Sequence, residues 1–169
     1  GSMGYLERAH GGTVFIDELG AIPQEMQAKL LRVIDTKEFT PVGTSEIKRS
    51  DFRIVSAGNE QLEGQIADKT FREDLYFRLN NVVLSLPALR DRRDDIPLLY
   101  AHFIAMLANT YEIAEPETTS EDIAALMAYD WPGNVRELRS VCERRVLAAR
   151  RGGGSVASSI SMDGDFDDV

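Results

Sequence analysis

Residues 11–35, GGTVFIDELGAIPQEMQAKLLRVID, decide how the rest of the chain is read. Residues 12–18 (GTVFIDE) are a short β-branched and aromatic run ending in two carboxylates, which predicts a buried strand with acids at its C-terminal tip. A helix is expected next, because Pro23 suits a helix start and Met26, Leu30, Leu31, Val33 and Ile34 recur at helical spacing, with an end near Asp35. Residues 52–58 (FRIVSAG) predict a second buried strand, and residues 82–86 (VVLSL) a third, closed by Pro87. Strands alternating with helices imply a parallel α/β sheet.

From Asp94 onward the pattern turns wholly helical. Asp95 and Pro97 open a segment whose apolar positions include Leu99, Phe103, Met106 and Leu107. Thr119 or Ser120 is expected to cap the next helix, which carries Ile123, Leu126 and Met127 and stops around Asp130–Gly133. Asn134 followed by Glu137 resembles a capping box opening a last helix with Val135, Leu138 and Val141. The two architectures meet near residue 90. The tail after Arg151 begins GGGS and ends DGDFDDV, the composition of a flexible linker and an acidic end, with Val156, Ile160 and Phe166 as its apolar anchors. The opening Gly1-Ser2-Met3 resembles a cloning scar.

Composition narrows the function classes. With 169 residues, 43% of them hydrophobic, the chain has material for one ordinary core or a compact domain plus a satellite. A formal net charge of -9 argues against a broad basic grip on nucleic acid, so no direct nucleic-acid binding is expected. Cys142 stands alone, and His10 and His102 are isolated, so neither a disulfide nor a metal-ligand spacing is present, which suits the cytoplasm. No apolar run approaches the roughly 18 residues that cross a bilayer, and no membrane partner is expected.

The chemistry centres on Asp17-Glu18. Adjacent acids after a buried strand can divide labour around a phosphate-bound magnesium ion, one orienting the metal and the other polarising an attacking water as general base. The alternative, without chemistry, is a strand end meeting solvent in two polar residues. The longer stretch GGTVFIDELGAIPQEMQAKLLRVIDTKEFTPVG is similar throughout to the Walker B segment and following helix of sigma-54-dependent bacterial transcription activators, members of the AAA+ ATPases. The same register continues through FRIVSAGNEQL, FREDLYFRLNNVVLSLPALRDRRDDIPLL and WPGNVREL, so the likeness spans roughly residues 5–150.

That resemblance implies a partial AAA+ core, an α/β fold with an incomplete parallel sheet, over residues 4–90; a helical lid over 91–151; and a linker or tail over 152–169. It implies that Asp17 and Glu18 are the Walker B pair, with Asp17 toward magnesium, and that Asn59 is sensor I. An amide there can both donate and accept around water and phosphate. The family more often has Thr where this chain has Gly58, which leaves the local strand-end geometry open. Arg72 and Arg78 resemble the paired arginine fingers that reach a neighbouring subunit's nucleotide, where a planar, permanently charged fork stabilises phosphoryl charge. The alternative for Arg72 is a surface ion pair with Glu73 or Asp74. Arg136 resembles sensor II, a nucleotide contact from the lid; its alternative is an exposed arginine beside Glu137 or Asp130. Trp131 and Pro132 are expected to pack the lid. Arg90, Arg92 and Arg93 with Asp91, Asp94 and Asp95 are expected to form a solvated connector.

No GxxxxGK[ST] occurs in the chain, and the family's GAFTGA loop and a helix-turn-helix reader are also missing from it. The parent is therefore expected to be an ATP- and Mg²⁺-dependent activator, with a two-component regulator as one option, that self-associates into a ring and remodels sigma-54 RNA polymerase. The segment by itself is expected to be inactive and to bind no nucleotide tightly. The alternative is a non-hydrolysing assembly or regulatory module related to this family. Without the P-loop strand, residues 52–58 and 82–86 would face a gap, so they are expected to pair directly or to accept a strand from another copy, with 155–162 (SVASSISM) as donor.

Overall fold

The computed structural model describes residues 4–41, 43–59 and 61–161. The chain divides into two compact units, Gly1–Leu84 and Ser85–Val169.

In the first unit a single helical turn, α1 (Tyr5–Arg8), leads into strand β1 (Thr13–Ile16). Helix α2 (Gln24–Thr36) follows, with Pro23 at its N-cap and Lys37 closing it in the left-handed conformation at φ 60°. Lys37 also donates from Nζ to the Phe52 carbonyl at 3.0 Å and lies over the Phe52 ring. A two-residue antiparallel ladder joins β2 (Glu38–Phe39) to β3 (Lys48–Arg49), and β4 (Arg53–Ser56) returns to pair in parallel with β1. Helices α3 (Gln61–Ala67) and α4 (Glu73–Leu79) complete the unit.

The register Thr13–Arg53 through Ile16–Ser56 puts Val14, Ile16, Ile54 and Ser56 on the half-buried face. Behind it, Leu19, Leu62, Phe71 and Leu75 form a core packed by Ile16, Ile22, Leu30, Leu31 and Ile34. The other face of the sheet is open, with Phe15 63% and Val55 39% exposed. The two strands are therefore half-buried, not the buried strands that the sequence predicts, because no element among the described residues covers that face.

The expected third strand does not form. Residues 82–86 make no strand, and Val82 and Leu86 are 82% and 92% exposed. β-branched sequence predisposes a segment to extension, but a strand exists only by exchanging hydrogen bonds with a neighbour. Among the described residues β4 pairs with β1 alone, so the sheet is also not completed by pairing 52–58 with 82–86.

The second unit is helical. Two 3₁₀ turns, Leu89–Asp91 and Arg93–Asp95, lead into α5 (Ile96–Thr110), whose Ile96, Tyr100, Ile104 and Leu107 are buried at helical spacing. Thr119 caps α6 (Ser120–Ala128) reciprocally: its hydroxyl accepts from the Asp122 N–H at 3.1 Å, and Asp122 accepts from the Thr119 N–H at 3.2 Å. Helix α7 (Asn134–Arg150) buries Leu138, Val141, Cys142 and Val146 against α5.

Trp131 is fully buried, donates from Nε1 to the Leu126 carbonyl at 2.9 Å and meets Tyr129 edge-on at 5.0 Å. It packs the lid as the sequence predicts, whereas Pro132 is exposed. The capping box expected at Asn134 is only half present. Glu137 accepts the N–H of Gly133, the true N-cap, at 2.8 Å, while the Asn134 side chain accepts the Leu89 N–H at 2.8 Å.

The tail and the connector also differ from expectation. Residues 156–161, the expected strand donor, form helix α8 (Val156–Ser161), with Val156 buried and Ile160 packed on the lid core. Its carbonyls and amides are engaged within the unit: Arg144 donates to the Ser159 carbonyl at 2.8 Å, and Asp122 accepts the Val156 N–H. The third anchor, Phe166, lies outside the described residues. The connector is not uniformly solvated either. Arg93 reaches the Met127 and Tyr129 carbonyls at 2.6 and 3.0 Å and Asp130 at 2.6 Å, closing the C-terminus of α6 with a cation.

Candidate functional site

The parallel ladder of β1 and β4 does not end at the strands. The Ala57 N–H donates to the Ile16 carbonyl at 2.8 Å, and the Ala57 carbonyl accepts the Leu19 N–H at 2.8 Å. Residues 17 and 18, lying between these two bonds, are looped out of the ladder. Glu18 takes up the turn in the left-handed region at φ 50°, a conformation that costs a non-glycine residue about 1–2 kcal/mol. The ladder bonds on both sides and the Glu18 N–H donated to Asp17 Oδ1 at 2.9 Å offset that cost. Strain held by its surroundings at an acid pair is a feature of functional sites.

The looped acids line a cleft of about 450 Å³ whose other wall is Ala57, Gly58, Asn59, Gln61 and Gln65. Three of the sequence-predicted residues, Asp17, Glu18 and Asn59, are thus brought together. All three are exposed to it, and the Asn59 carbonyl oxygen Oδ1 accepts the Gln61 N–H at 3.2 Å, which orients the amide at the strand end. A Cβ on Gly58 would meet Leu62 at 3.5 Å and Leu19 at 3.8 Å, ordinary contacts, so packing around this position does not require a glycine.

The arginines lie outside this cleft. Arg72 is the N-cap residue of α4 and pairs bidentately with Asp74 at 2.9 and 2.7 Å; hydrogen bonds from its guanidinium hold the Asp74 carboxyl below the usual range. Arg78, in the last turn of α4, pairs with Asp35 at 2.5 Å. Both pairs are solvent-exposed and therefore readily exchanged for another anion. Arg136, in the first turn of α7, is exposed and has no side-chain hydrogen bond or ion pair among the described residues. Its two sequence-suggested partners are engaged elsewhere: Asp130 with Arg93, and Glu137 with Gly133 and Tyr129.

Sequence reasoning missed a set of glutamines. Gln24, Gln27 and Gln65 donate across to Lys69, Thr70 and Gly20 carbonyls at 2.8, 3.0 and 3.2 Å, joining the segment after the acids to the segment before Arg72. Their partners are about 45 residues away in the chain, so no local pattern marks them. No cluster of three or more His, Cys, Asp or Glu suited to a metal occurs among the described residues. No described helix is long and apolar enough to cross a membrane.

Looped acids at one strand end and an asparagine at the next in the first unit, together with an all-helical second unit, define part of an AAA+ ATPase core and a lid. The chain belongs to the sigma-54 interaction domain family, which matches residues 1–85, and an AAA+ ATPase lid domain matches residues 90–158.

Among its relatives, the C4-dicarboxylate transport transcriptional regulatory protein DctD of Rhizobium meliloti is 43% identical over 162 residues, covering 96% of this chain and 35% of that protein. The phenol regulator MopR of Acinetobacter guillouiae is 46% identical, covering 86% of this chain and 26% of its own length. NtrX from Brucella abortus, solved in complex with ADP, superposes with a TM-score of 0.89 at 39% identity, over 98% of this chain and 38% of that one. The chain therefore spans about a third of the length of DctD and about a quarter of MopR.

Proposed function

We propose that this chain supplies the hydrolytic part of the ATPase site in a sigma-54-dependent transcription activator. The observation that carries the reading is the looping-out of Asp17-Glu18 between the two Ala57 ladder bonds, opposite Asn59 in one cleft. The donor set suits a hard cation shared with phosphate. Two carboxylates and an amide are too few to hold Mg²⁺ alone, and magnesium is ordinarily bound through one or two carboxylates plus substrate phosphates and water.

In this reading Asp17 orients the magnesium, and Glu18 accepts the proton of the attacking water. Asn59 positions that water through an amide that both donates and accepts. Bound ATP with its magnesium supplies the phosphoanhydride that is cleaved. Arg72 and Arg78, on exposed and exchangeable pairs, act on the nucleotide of a neighbouring subunit in a ring, and the unpaired Arg136 contacts nucleotide from the lid. NtrX, solved with ADP and with ATP, supports nucleotide as the ligand. Hydrolysis is then coupled to remodelling of sigma-54 RNA polymerase, the partner that the family name points to.

The sequence holds no GxxxxGK[ST], whose backbone amides and lysine anchor the triphosphate, so these residues are proposed to turn over ATP only when that element is supplied. The test is Glu18→Gln in a full-length activator carrying this segment. ATP binding is expected to persist while hydrolysis falls by about 100-fold or more, the scale of a lost general base. Normal turnover would remove Glu18 from the mechanism.

A further inference from the structure

Gln27 is a polar side chain buried to 1% exposure, on the inner face of α2, and both ends of its amide are used. Nε2 donates to the Ile22 carbonyl at 2.9 Å and to the Thr70 carbonyl at 3.0 Å, while Oε1 accepts the Arg72 N–H at 2.8 Å. Both donors are thereby satisfied, and the acceptor is placed on the backbone of an arginine. Glutamine is mostly an exposed residue; one buried in this way is retained for its bonds.

On one side of Gln27 the bonds lead back to the acids. The 3₁₀ turn Leu19–Ala21 starts from Glu18, the Ala21 N–H donates to the Glu18 carbonyl at 2.8 Å, and the turn ends at Ile22. On the other side Gln27 pins the Arg72 backbone and leaves its guanidinium in solvent, on an exposed pair with Asp74. Gln24 to Lys69 and Gln65 to Gly20 brace the same two segments in parallel. A short, hydrogen-bonded path thus runs from Glu18 to Arg72 through one buried amide.

We infer that Gln27 is a positioning residue that couples the acid pair of a subunit's own site to the placement of the Arg72 it presents to its neighbour. The inference rests on the ATPase reading for the roles of Glu18 and Arg72. Movement of the acid pair when its nucleotide changes is carried through the 3₁₀ turn to Ile22, and Gln27 transmits it to the Arg72 backbone. Successive sites in a ring are thereby linked without direct contact between their nucleotides.

Two variants separate the parts. Gln27→Met keeps the volume and removes all three bonds; Gln27→Glu keeps an acceptor for the Arg72 N–H but loses both donors. In the full chain, Gln27→Met is expected to speed hydrogen exchange of the Arg72 amide by about tenfold while the Ala57 amide, held by Ile16, is unchanged. In Gln27→Glu the Arg72 amide stays protected. In a full-length activator carrying this segment, both variants are expected to lower kcat about tenfold with the KM for ATP within about twofold, the pattern of an interaction made only in the transition state.

Equal acceleration of the Arg72 and Ala57 amides in Gln27→Met would reduce Gln27 to core packing and overturn the inference. So would a Gln27→Glu activator with wild-type kcat, and that arm also decides the case if Gln27→Met does not fold. An unmodified activator that fails to hydrolyse ATP sinks the ATPase reading instead, and the exchange measurement then judges Gln27 by itself.

Discussion

Asp122 accepts the backbone N–H of Val156 at 2.8 Å with one carboxylate oxygen while the other accepts the Thr119 N–H at 3.2 Å. One side chain, 4% exposed, therefore caps its own helix α6 and fastens α8 to the lid. The Gly152–Gly154 run before α8, with Gly152 and Gly154 at positive φ, lets the chain reverse after α7 and bring Val156 to this carboxylate.

Asp122→Ala is expected to cost about 2–4 kcal/mol, combining a lost cap with a buried amide left without its charged acceptor. Trp131, the single tryptophan of the chain and fully buried in the helical unit, reports that unit in urea unfolding followed by fluorescence. A midpoint unchanged from the unmodified protein would show that α8 contributes nothing to the lid. Thr119→Ala, which removes only the cap hydroxyl, is expected to cost about 1 kcal/mol.

The helical unit should weaken in alkali. Burial pushes the Tyr100 phenol up from 10.0 to about 12, helped by Cys142 and Asp122, and burial pushes the Cys142 thiol up from 9.0 to about 12. Both groups hold their protons more tightly folded than unfolded. Their contribution is therefore complete below pH about 9 and is lost as pH rises from there toward about 12. Trp131 fluorescence melts at pH 8, 10 and 11 are expected to show a falling midpoint, and Cys142→Ser should flatten the first part of the fall. A midpoint constant to pH 11 would contradict the burial of both groups.

The finger assignment predicts complementation. Arg72→Ala or Arg78→Ala subunits of a full-length activator are expected to lose turnover, then to recover part of it when mixed with Glu18→Gln subunits, whose arginines are intact. ATPase activity of the mixture above the sum of its components places the arginines in trans. A mixture with no gain would assign Arg72 and Arg78 to their ion pairs with Asp74 and Asp35 and nothing further.

Strand β1, helix α2 and strand β4 could be placed directly from the sequence because each is announced within its own few residues: a β-branched run, a helical apolar stripe after Pro23, a second run over 52–58 just before Asn59. The Thr119 cap and the Asp95–Pro97 helix start are likewise local, since a cap is settled within one turn. Asp17, Glu18 and Asn59 were visible as candidates for the same reason; they stand at the ends of strands that the sequence marks.

What those residues do to one another depended on the tertiary structure. The looping-out of the acid pair exists because Ala57 bonds on both sides of it, and no property of residues 13–19 alone encodes that partner. Residues 82–86 have the composition of a strand and form none, because a ladder needs a neighbour and composition does not supply one. Asn134 left its expected cap for the Leu89 N–H, Arg93 closed α6 from 34 residues away, and Gln27 joined Ile22 to Arg72 across 45. Periodicity and capping are short-range and can be read along the chain. A buried amide or guanidinium instead takes whichever unsatisfied backbone group the folded chain places within about 3 Å, and only the completed packing decides which group that is.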